Sequence, residues 1–450
     1  MKKIYLVLIM LISSTLLFAQ SPKKGGIFNI ATPTNPQTLD ATMTTDQGAS
    51  LIMGAVVEEL FTLDNELKTA AHLADSYTVS ADGLLYSIKL RRGVLFHNGK
   101  EMTSDDVVAS TLRFFKNNGK KAAQNVDRVE KDGKYGIKIY TTKKLATFID
   151  SISSWFGNAN IKVFPKEIMD KYQDKPINNP ADLIGTGPYK LARFSPDQHA
   201  SLVRFDDYVA SDKPFSGYAG HHVAYFDEIR WHFVQEESIR IAGLQTNEYQ
   251  FAFQISTDQF DMLDQNPDTR PMYTNVLQSL LIFNCANPPF DNINARQAIA
   301  YGLDYQDMGR AMIGDEKFWD TNDGSFYGEG LFWHNADAGK DIFNKTDIKK
   351  AKQLLAKSGY NGETIVIVNE IGSPTFKNGA TALKAQLEKI GFNVKMVLTD
   401  RATVVAKRAT KDEWHIHLTF FGNFYPDPNV WGAWTGTNGW ITNWDDQYSM

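Results

Sequence analysis

Two histidine pairs are the first side chains in this sequence that could do chemistry. His415 and His417 stand two residues apart in WHIHLTFF, which has the composition of a strand. Alternate residues of a strand share a face, so these two imidazoles could share a metal ion. Two imidazoles make half of a metal site and no third ligand is identifiable, so the alternative is two polar residues on a strand face. The other pair, His221-His222, lies in a loop rich in Gly and Tyr and is expected to be solvated.

Paired carboxylates and one thiol are the remaining reactive candidates. Asp105-Asp106 and Glu236-Glu237 both fall where a helix is predicted to start, and the helix dipole favours acids there, so we expect no general-acid role. Cys285 follows the apolar residues LLIFN and is interpreted as a buried structural thiol. The sequence contains no Walker phosphate loop, no G-x-S-x-G elbow and no H-E-x-x-H motif.

The stretch FFGNFYPDPNVW, residues 420–431, carries five aromatic residues among twelve. Asp427-Pro428 within it is typical of a helix start, because the carboxylate caps free N–H groups and proline suits the first turn. Four of the nine tryptophans lie in the last twenty residues: Trp431, Trp434, Trp440 and Trp444. Glycines interrupt this cluster, which favours an exposed aromatic wall that binds a ligand, whereas core packing would explain any single tryptophan.

The elements that must position these residues begin with two predicted hairpins. Asp82-Gly83 and Asp132-Gly133 each stand between strand-like runs, which is the usual sequence of a tight hairpin turn. Between the hairpins, Thr103 has a capping-box partner three residues later, ahead of an apolar helix face. Residues 176–188 concentrate proline and glycine, which predicts a crossing between domains.

The later segments predict an α/β fold. Residues 227–253 favour strand, helix and strand, and residues 346–360 favour a helix capped by Thr346. Residues 364–398 again give strand, helix and strand. Such a unit implies a parallel strand pair, and α/β folds bind ligands at the carboxyl ends of parallel strands.

Length and composition predict an exported protein of two or three domains. The chain has 450 residues, one cysteine and a net charge of −5, so disulfides cannot stabilise it, and neither nucleic acid nor an anionic membrane is an expected partner. Residues 1–19 have the layout of a secretory signal peptide, with cleavage expected after Ala19 and an uncleaved anchor as the alternative. We expect no lipid anchor, because no cysteine stands at the cleavage site.

Several segments in order resemble one family, the extracellular solute-binding proteins of peptide and nickel type ABC importers (bacterial solute-binding family 5). The resemblance runs from about Gly25 to Asp427 and covers nearly the whole mature chain. The matching text is KKGGIFNIATPTNPQTLDAT, VVEELFTLDNELKTAAHLADSYTVSADGLLYSIKLRRGVLFHNGKEMTSDDVVAS, LIGTGPYKLARF, LIFNCANPPFDNINARQAIAYGLD, AKQLLAKSGY, LKAQLEKIGFNVKM and DEWHIHLTFFGNFYPDP.

This resemblance implies a two-lobed, type II-like periplasmic binding protein with an extra subdomain on lobe I. The implied role is to capture a solute between the lobes and deliver it to membrane permease subunits, as a monomer with no cofactor and no enzymatic activity. The expected organisation is a signal peptide at 1–19, lobe I at 20–60 and 181–275 with the hinge near the start and end of the latter, the extra subdomain at 61–180 and lobe II at 276–450. Relatives return to lobe I at their carboxyl end, so the C-terminal end of lobe I is expected to be missing here.

The resemblance also implies a ligand site between the lobes. In peptide-binding relatives an aspartate shortly before the Asp-Pro turn pairs with the ligand's α-amino group, and here Phe424 holds that position. The expected ligand-binding residues are Asn35, Phe421, Asn423, Phe424, Trp431 and Trp434. A peptide or peptide-like solute is the first expectation. The alternatives are an oligosaccharide or a nickel or other metal chelate that uses His417, an exported hydrolase as the rival class, and a chemotaxis or chaperone role.

Overall fold

The computed structural model describes residues 22–44, 46–154, 159–273, 277–321, 324–325, 327–329, 333–408, 410 and 412–422. Within these residues the strands are β1 (Ile27–Thr32), β2 (Phe61–Leu63), β3 (Thr69–Ala71), β4 (Ala74–Val79), β5 (Leu85–Leu90), β6 (Val126–Lys131), β7 (Gly136–Thr141), β8 (Tyr189–Ser195), β9 (His199–Arg204), β10 (Glu228–Phe233), β11 (Phe251–Ala252), β12 (Leu277–Phe283), β13 (Thr364–Glu370), β14 (Asn393–Thr399) and β15 (Ile416–Gly422). The α-helices are α1 (Gln47–Met53), α2 (Ser104–Asn117), α3 (Lys120–Ala123), α4 (Lys166–Tyr172), α5 (Glu237–Gln245), α6 (Phe260–Asp264), α7 (Ile293–Gly302), α8 (Tyr305–Ile313), α9 (Ile348–Lys357), α10 (Pro374–Ile390) and α11 (Arg401–Arg408).

A five-stranded mixed sheet in the order β11-β1-β10-β9-β8 organises the first α/β unit. Strands β10, β1 and β11 are parallel, and α5 makes the crossover from β10 to β11. Alternate residues of the sheet, including Ile30, Trp231 and Phe233, enter one buried core. Phe164 and Ile168, which lie inside the range predicted for the extra subdomain, pack in this same core.

A second sheet, antiparallel and four-stranded in the order β4-β5-β7-β6, has a separate core with α2. Its two hairpins turn at the predicted Asp-Gly pairs, where Gly83 and Gly133 have φ of 74° and 71°. Glycine adopts this left-handed backbone without a Cβ penalty. The predicted capping box at the start of α2 is confirmed, because Thr103 and Asp106 exchange the expected hydrogen bonds.

The second α/β unit is built on a four-stranded sheet in the order β12-β15-β13-β14. Helix α10 connects β13 to the parallel strand β14, as the sequence predicted. One face of the sheet packs on the core that contains Leu383, Leu387 and Ile390 of α10, and the other packs on Val404 of α11 and on Trp414. A sheet covered on both faces accounts for the apolar run of β13.

The start of α9 differs from the prediction. The cap is Asp347, whose carboxylate accepts from the Lys350 amide at 2.9 Å, and not Thr346. Thr346 has a φ of 44°, and its hydroxyl donates to the Leu303 carbonyl at 3.0 Å. The tertiary contact thus occupies the side chain that local spacing assigned to the helix.

Residues 256–273 join the two α/β units. The Thr257 hydroxyl donates to the Ile313 carbonyl at 2.7 Å, and the Phe260 ring packs edge-on against Phe318 at 5.0 Å. Lys317 pairs with Asp261 at 2.6 Å on the surface of the same junction. Within the part of the chain that is described, no helix combines the length and hydropathy needed to span a bilayer.

The predicted crossing at 176–188 is a close backbone seam. The Gly187 and Tyr189 amides donate to the carbonyls of Val56 and Ala55, each at 3.0 Å. A Cβ on Gly185 would stand 1.9 Å from the Val56 carbonyl oxygen, so only glycine permits this approach. The assignment of domain boundaries near residues 60 and 180 stays a prediction.

His97 fastens this seam to the second sheet. Its Nδ1 accepts from the Gly185 amide at 3.2 Å and its Nε2 donates to the Gly187 carbonyl at 3.0 Å, which only a neutral imidazole can do at once. Burial lowers the pKa of His97 to about 4. The unfolded chain therefore binds this proton more readily than the folded one.

We expect acid to destabilise the protein partly through His97. Its folded pKa lies below its unfolded value, so its contribution falls as the pH drops from 6.5 towards 4, by about 2–3 kcal/mol at pH 4.5. The measurement is urea unfolding of the parent and of His97→Gln at pH 7 and pH 4.5. The variant should lose less stability on acidification than the parent. The exposed His221→Gln serves as the control, and equal losses in all three proteins would contradict the assignment.

Candidate functional site

The carboxyl ends of three parallel strands gather at one edge of the first sheet. β1, β10 and β11 end there, and the Val234 amide donates to the Thr32 carbonyl at 2.8 Å to hold two of the exits together. After β1, the hydroxyls of Thr32 and Thr34 share a hydrogen bond of 2.7 Å. The Gln254 amide reaches Gln47 in the first turn of α1 at 3.5 Å. This polar edge is where α/β folds bind ligands.

Arg240 of α5 fixes the loops at this edge from below. Its side chain is buried and donates to the carbonyls of Val234, Gln235 and Gln254 at 2.8–2.9 Å. Burial lowers the pKa of Arg240, although a guanidinium stays protonated near neutral pH. One buried cation thus sets the exits of β10 and β11 together, and Gln254 is held at a φ of 54°.

Asn35, the residue predicted from the first lobe, lies in the loop that follows β1. Its side-chain amide donates to the Asp197 carboxylate, and its oxygen accepts from the Asp197 amide at 3.1 Å. Asp197 is in the β8–β9 turn, so Asn35 ties that turn to the loop after β1. A direct contact of Asn35 with a ligand stays a prediction.

The second sheet edge is equivalent in construction. β13, β14 and β15 all end on one side, because β13 is parallel to both of its neighbours. Ser373 caps α10 after β13. Asp400 follows β14, and hydrogen bonds from Thr403 lower the pKa of its carboxyl. At the end of β15, Phe420 packs on Phe376 in the first turn of α10, with ring centroids 5.0 Å apart.

The stretch that is predicted to form the aromatic wall begins at this edge. Phe421 lies near the carboxyl end of β15, where its backbone pairs with Gln278 of β12. The other expected contacts from this segment, Asn423, Phe424, Trp431 and Trp434, lie outside the described residues. The prediction that they bind the ligand is untested by this structure.

His415 and His417 lie on the sheet face that α11 covers. His417 pairs in register with Ile282, a residue of that core, and is itself buried. The Nδ1 atoms of both rings contact the β13 backbone, through the Val366 amide at 3.1 Å and the Val368 carbonyl at 2.9 Å. Among the described residues neither histidine joins a group of three metal-ligating side chains. The metal-chelate alternative gains no support from their placement.

The carboxylate pairs lie at helix starts, as predicted. Asp105 and Asp106 are in the first turn of α2. The buried Asp106 carboxylate accepts hydrogen bonds from the Thr103 and Lys166 amides. Glu236 is the N-cap of α5, and Glu237 follows in its first turn. The Asp106 carboxylate is thus hydrogen-bonded within the protein, and both pairs occupy the helix positions that the dipole favours.

The predicted solvation of the other histidine pair is wrong at His222. His221 is exposed, but His222 is half-buried and lies against His72, with ring centroids 5.3 Å apart. The tertiary fold brings residue 72 to this loop, which no local pattern could indicate. Arg240, Thr34 and Gln254 were not predicted as site residues. The signal that could have indicated them is their position directly after, or beneath, the ends of parallel strands.

Comparison with known proteins identifies a family model and two relatives that match most of this chain. Residues 68–443 match the family described as "Bacterial extracellular solute-binding proteins, family 5 Middle". A "Probable peptide ABC transporter periplasmic-binding protein" of Sinorhizobium fredii is 25% identical over 382 residues, which are 81% of this chain and 70% of that protein. The "Glutathione-binding protein GsiB" of Escherichia coli is 26% identical over 420 residues, or 91% of this chain and 76% of its own length.

A solved structure also matches this fold. The periplasmic binding protein DppA from Helicobacter pylori, solved in complex with the peptide STSA, superposes with a TM-score of 0.75. The match covers 91% of this chain and 80% of that one at 23% identity, which is evidence of a shared fold. The predicted two-lobed periplasmic binding protein fold is confirmed.

Replacing Arg240 by methionine should lower the free energy of unfolding by about 3 kcal/mol. The change keeps the side-chain length but leaves three carbonyl groups without a charged donor, and one such bond contributes about 1.5–3 kcal/mol net, so the expected loss assumes that water reaches some of the freed carbonyls. Arg310→Met, at an exposed ion pair with Glu316, is the control and should change stability by less than about 1 kcal/mol. Urea unfolding measures both, and equal effects would refute the role given to Arg240.

Proposed function

Because the chain belongs to the bacterial extracellular solute-binding proteins of family 5, we propose that it captures a peptide or peptide-like solute between its two lobes and delivers it to an ABC importer. The observation that carries the peptide assignment is the pair of relatives, one named for peptide transport and one for glutathione, which is itself a small peptide. Each aligns along more than four-fifths of this chain.

The two polar strand edges support a site between the lobes. The first edge offers Thr34, Gln47 and Gln254, which can hydrogen-bond a peptide backbone, and Arg240 holds the loop of Gln254 in place. At the second edge, Phe421 belongs to the aromatic stretch that continues beyond β15. Asn423, Phe424, Trp431 and Trp434 complete this proposal from the sequence.

Closure of the lobes is the step that binding would drive. Ligand contacts from both edges form together only when the lobes are shut, so the ligand increases the population of that state. The segment 256–273 connects the two α/β units and carries the exposed ion pair of Asp261 with Lys317, a position that suits a hinge. The proposed hinge thus lies at the second boundary expected from the sequence.

The remaining parts of the proposal concern location, partners and chemistry. We propose export by a signal peptide removed after Ala19, action as a monomer outside the cytoplasm, and contact with permease subunits of the importer. We expect the solute to be released unchanged, since both carboxylate pairs stand at helix starts, where the dipole favours them, and Cys285 is half-buried with a pKa raised by burial to about 11. A thiol with such a pKa is a poor nucleophile near neutral pH.

Small-angle scattering with intact-mass analysis tests the capture of a peptide. A panel of dipeptides and tripeptides is screened by thermal shift, and each stabilising peptide is added at saturation. We expect the radius of gyration to fall on binding, because the lobes close, and we expect the peptide to be recovered unchanged. Scattering that stays constant at saturation, or a cleaved peptide, would reject the proposal.

The residue at position 424 provides a sharper test of how a peptide is held. An α-amino group buried in a site needs an opposite charge, which a phenyl ring does not supply. Phe424→Asp should therefore bind free-amine dipeptides at least about tenfold more tightly than the parent, a change of about 1.4 kcal/mol. Calorimetric titration measures the dissociation constants.

Two controls separate charge from shape. Phe424→Asn removes the ring and has the size of aspartate but no charge, so it should gain no affinity. An N-acetylated dipeptide has no ammonium group and should gain nothing with Phe424→Asp. An equal gain for Asp and Asn variants, or for both peptides, would show that position 424 does not face the amine.

A further inference from the structure

Three metal-ligating side chains converge away from both strand edges. One ligand atom each of Glu58, His72 and His222 lies within 4.8 Å of the other two. It is the one group of three such side chains that the described residues form. It differs in place from the His415 and His417 pair, which lies in the second α/β unit.

The three residues come from separate segments of the chain. Glu58 precedes β2, His72 stands between β3 and β4, and His222 lies in the long loop before β10. Their convergence is therefore a product of the seam between the first sheet and the extra subdomain. Groups that are distant in sequence and adjacent in space are typical of metal sites.

The carboxylate of Glu58 is held in a fixed orientation. It is 2% exposed, and it accepts hydrogen bonds from the Thr186 hydroxyl at 2.7 Å and the Tyr208 hydroxyl at 2.9 Å. A charged, hydrogen-bonded carboxylate is the form that binds a metal ion.

His72 is the second buried member of the group. It is 3% exposed, and its Nε2 lies 3.2 Å from Glu58 Oε1. Its Nδ1 is buried and has no hydrogen-bond partner in the described part of the protein. The Nε2 atom faces Glu58 and is the ring nitrogen placed to bind a metal ion, in which case Nδ1 would carry the ring proton.

His222 closes the group from the loop side. Its ring packs against His72 and, edge-on, against Phe215 at 6.0 Å. These two ring contacts fix the position of the His222 imidazole beside His72. Neutral imidazole is the metal-binding form.

We propose that Glu58, His72 and His222 form a binding site for a divalent transition metal of the zinc class. Two imidazole nitrogens and one carboxylate oxygen are a ligand set of zinc sites that keep a fourth position for water. Tetrahedral zinc places its ligands about 3.3 Å apart, a separation that Glu58 and His72 already have. His222 would need to approach by at most about 1.5 Å.

The ligand atoms and the charge around the site together determine which class of metal ion it would bind. The Arg91 guanidinium acts on both Glu58 and His222, so the group carries one negative and one positive charge before a metal binds. Calcium and magnesium require several oxygen ligands and are disfavoured. Imidazole nitrogens are ligands that suit zinc and other transition metals.

A metal at this position would join the segment around residues 58–72 to the loop around His222. The same segments meet the Gly-Thr-Gly seam through the Thr186 hydroxyl. The metal would thus brace the extra subdomain against the first sheet, independently of any solute between the lobes. Its effect belongs to stability and not to solute capture.

The experiment is a zinc titration of the full chain, after chelator treatment and dialysis, by calorimetry and thermal unfolding at pH 7. We expect one saturable site per chain, a dissociation constant in the micromolar range or below, and a higher melting temperature with zinc. Zinc-edge X-ray absorption should show two imidazole ligands. Absence of saturable binding to the parent protein overturns the proposal.

Variants locate the site. His222→Gln and His72→Gln should each weaken zinc binding at least about tenfold, since each removes one of three ligands. Tyr208→Phe keeps all three ligands and removes one hydrogen bond to Glu58, so it should weaken binding by a smaller factor. It also serves as the test if the buried His72→Gln variant does not fold.

Two further variants are the controls. His199→Gln changes a histidine of β9 outside the group and should bind zinc like the parent. The double variant His415→Ala, His417→Ala removes the other candidate pair and should also retain binding. Loss of binding in that double variant with retention in His222→Gln would place the metal elsewhere and refute the inference.

Discussion

Parallel strands require crossovers, and that constraint organises the protein. Each α/β unit returns the chain through a helix, α5 in one and α10 in the other, so that successive strands end at the same edge. Loops after these strands are free of sheet pairing and can present polar groups or aromatic rings. Two such edges, joined by the segment 256–273, are where the proposed solute site lies.

Buried polar groups then fix the positions of loops and connecting segments that the crossovers leave undetermined. Arg240 sets the strand exits at one edge through three carbonyl groups. His97 and Glu58 do the same along the seam, where one accepts from Gly185 and the other from the Thr186 hydroxyl. Each of these groups is costly if left unpaired, so each specifies one arrangement of neighbouring segments. Function and architecture therefore rest on the same few interactions.

A metal at the Glu58 group and a solute between the lobes would act on different parts of the molecule. The proposed solute would act at the hinge and increase the population of the closed state. The metal would stiffen the junction of the extra subdomain, which need not move during closure. A receptor can in this way be stabilised without a loss of the mobility that capture needs. The two proposals fail or stand separately, because one is read from zinc binding and the other from peptide binding.

The sequence alone determined the elements whose signals are local. Asp-Gly turns set the hairpins, a capping box set the start of α2, and apolar periodicity set the strand–helix–strand units, because each depends on residues a few positions apart. The ordered family motifs extended this to the two-lobed fold. The tertiary structure alone decided the cap of α9, the surroundings of His222 and the clamp at Arg240. Thr346 and His222 contact residues that are distant along the chain, and the Arg240 contacts depend on how the loops after β10 and β11 fold back on α5, so no spacing rule can indicate them.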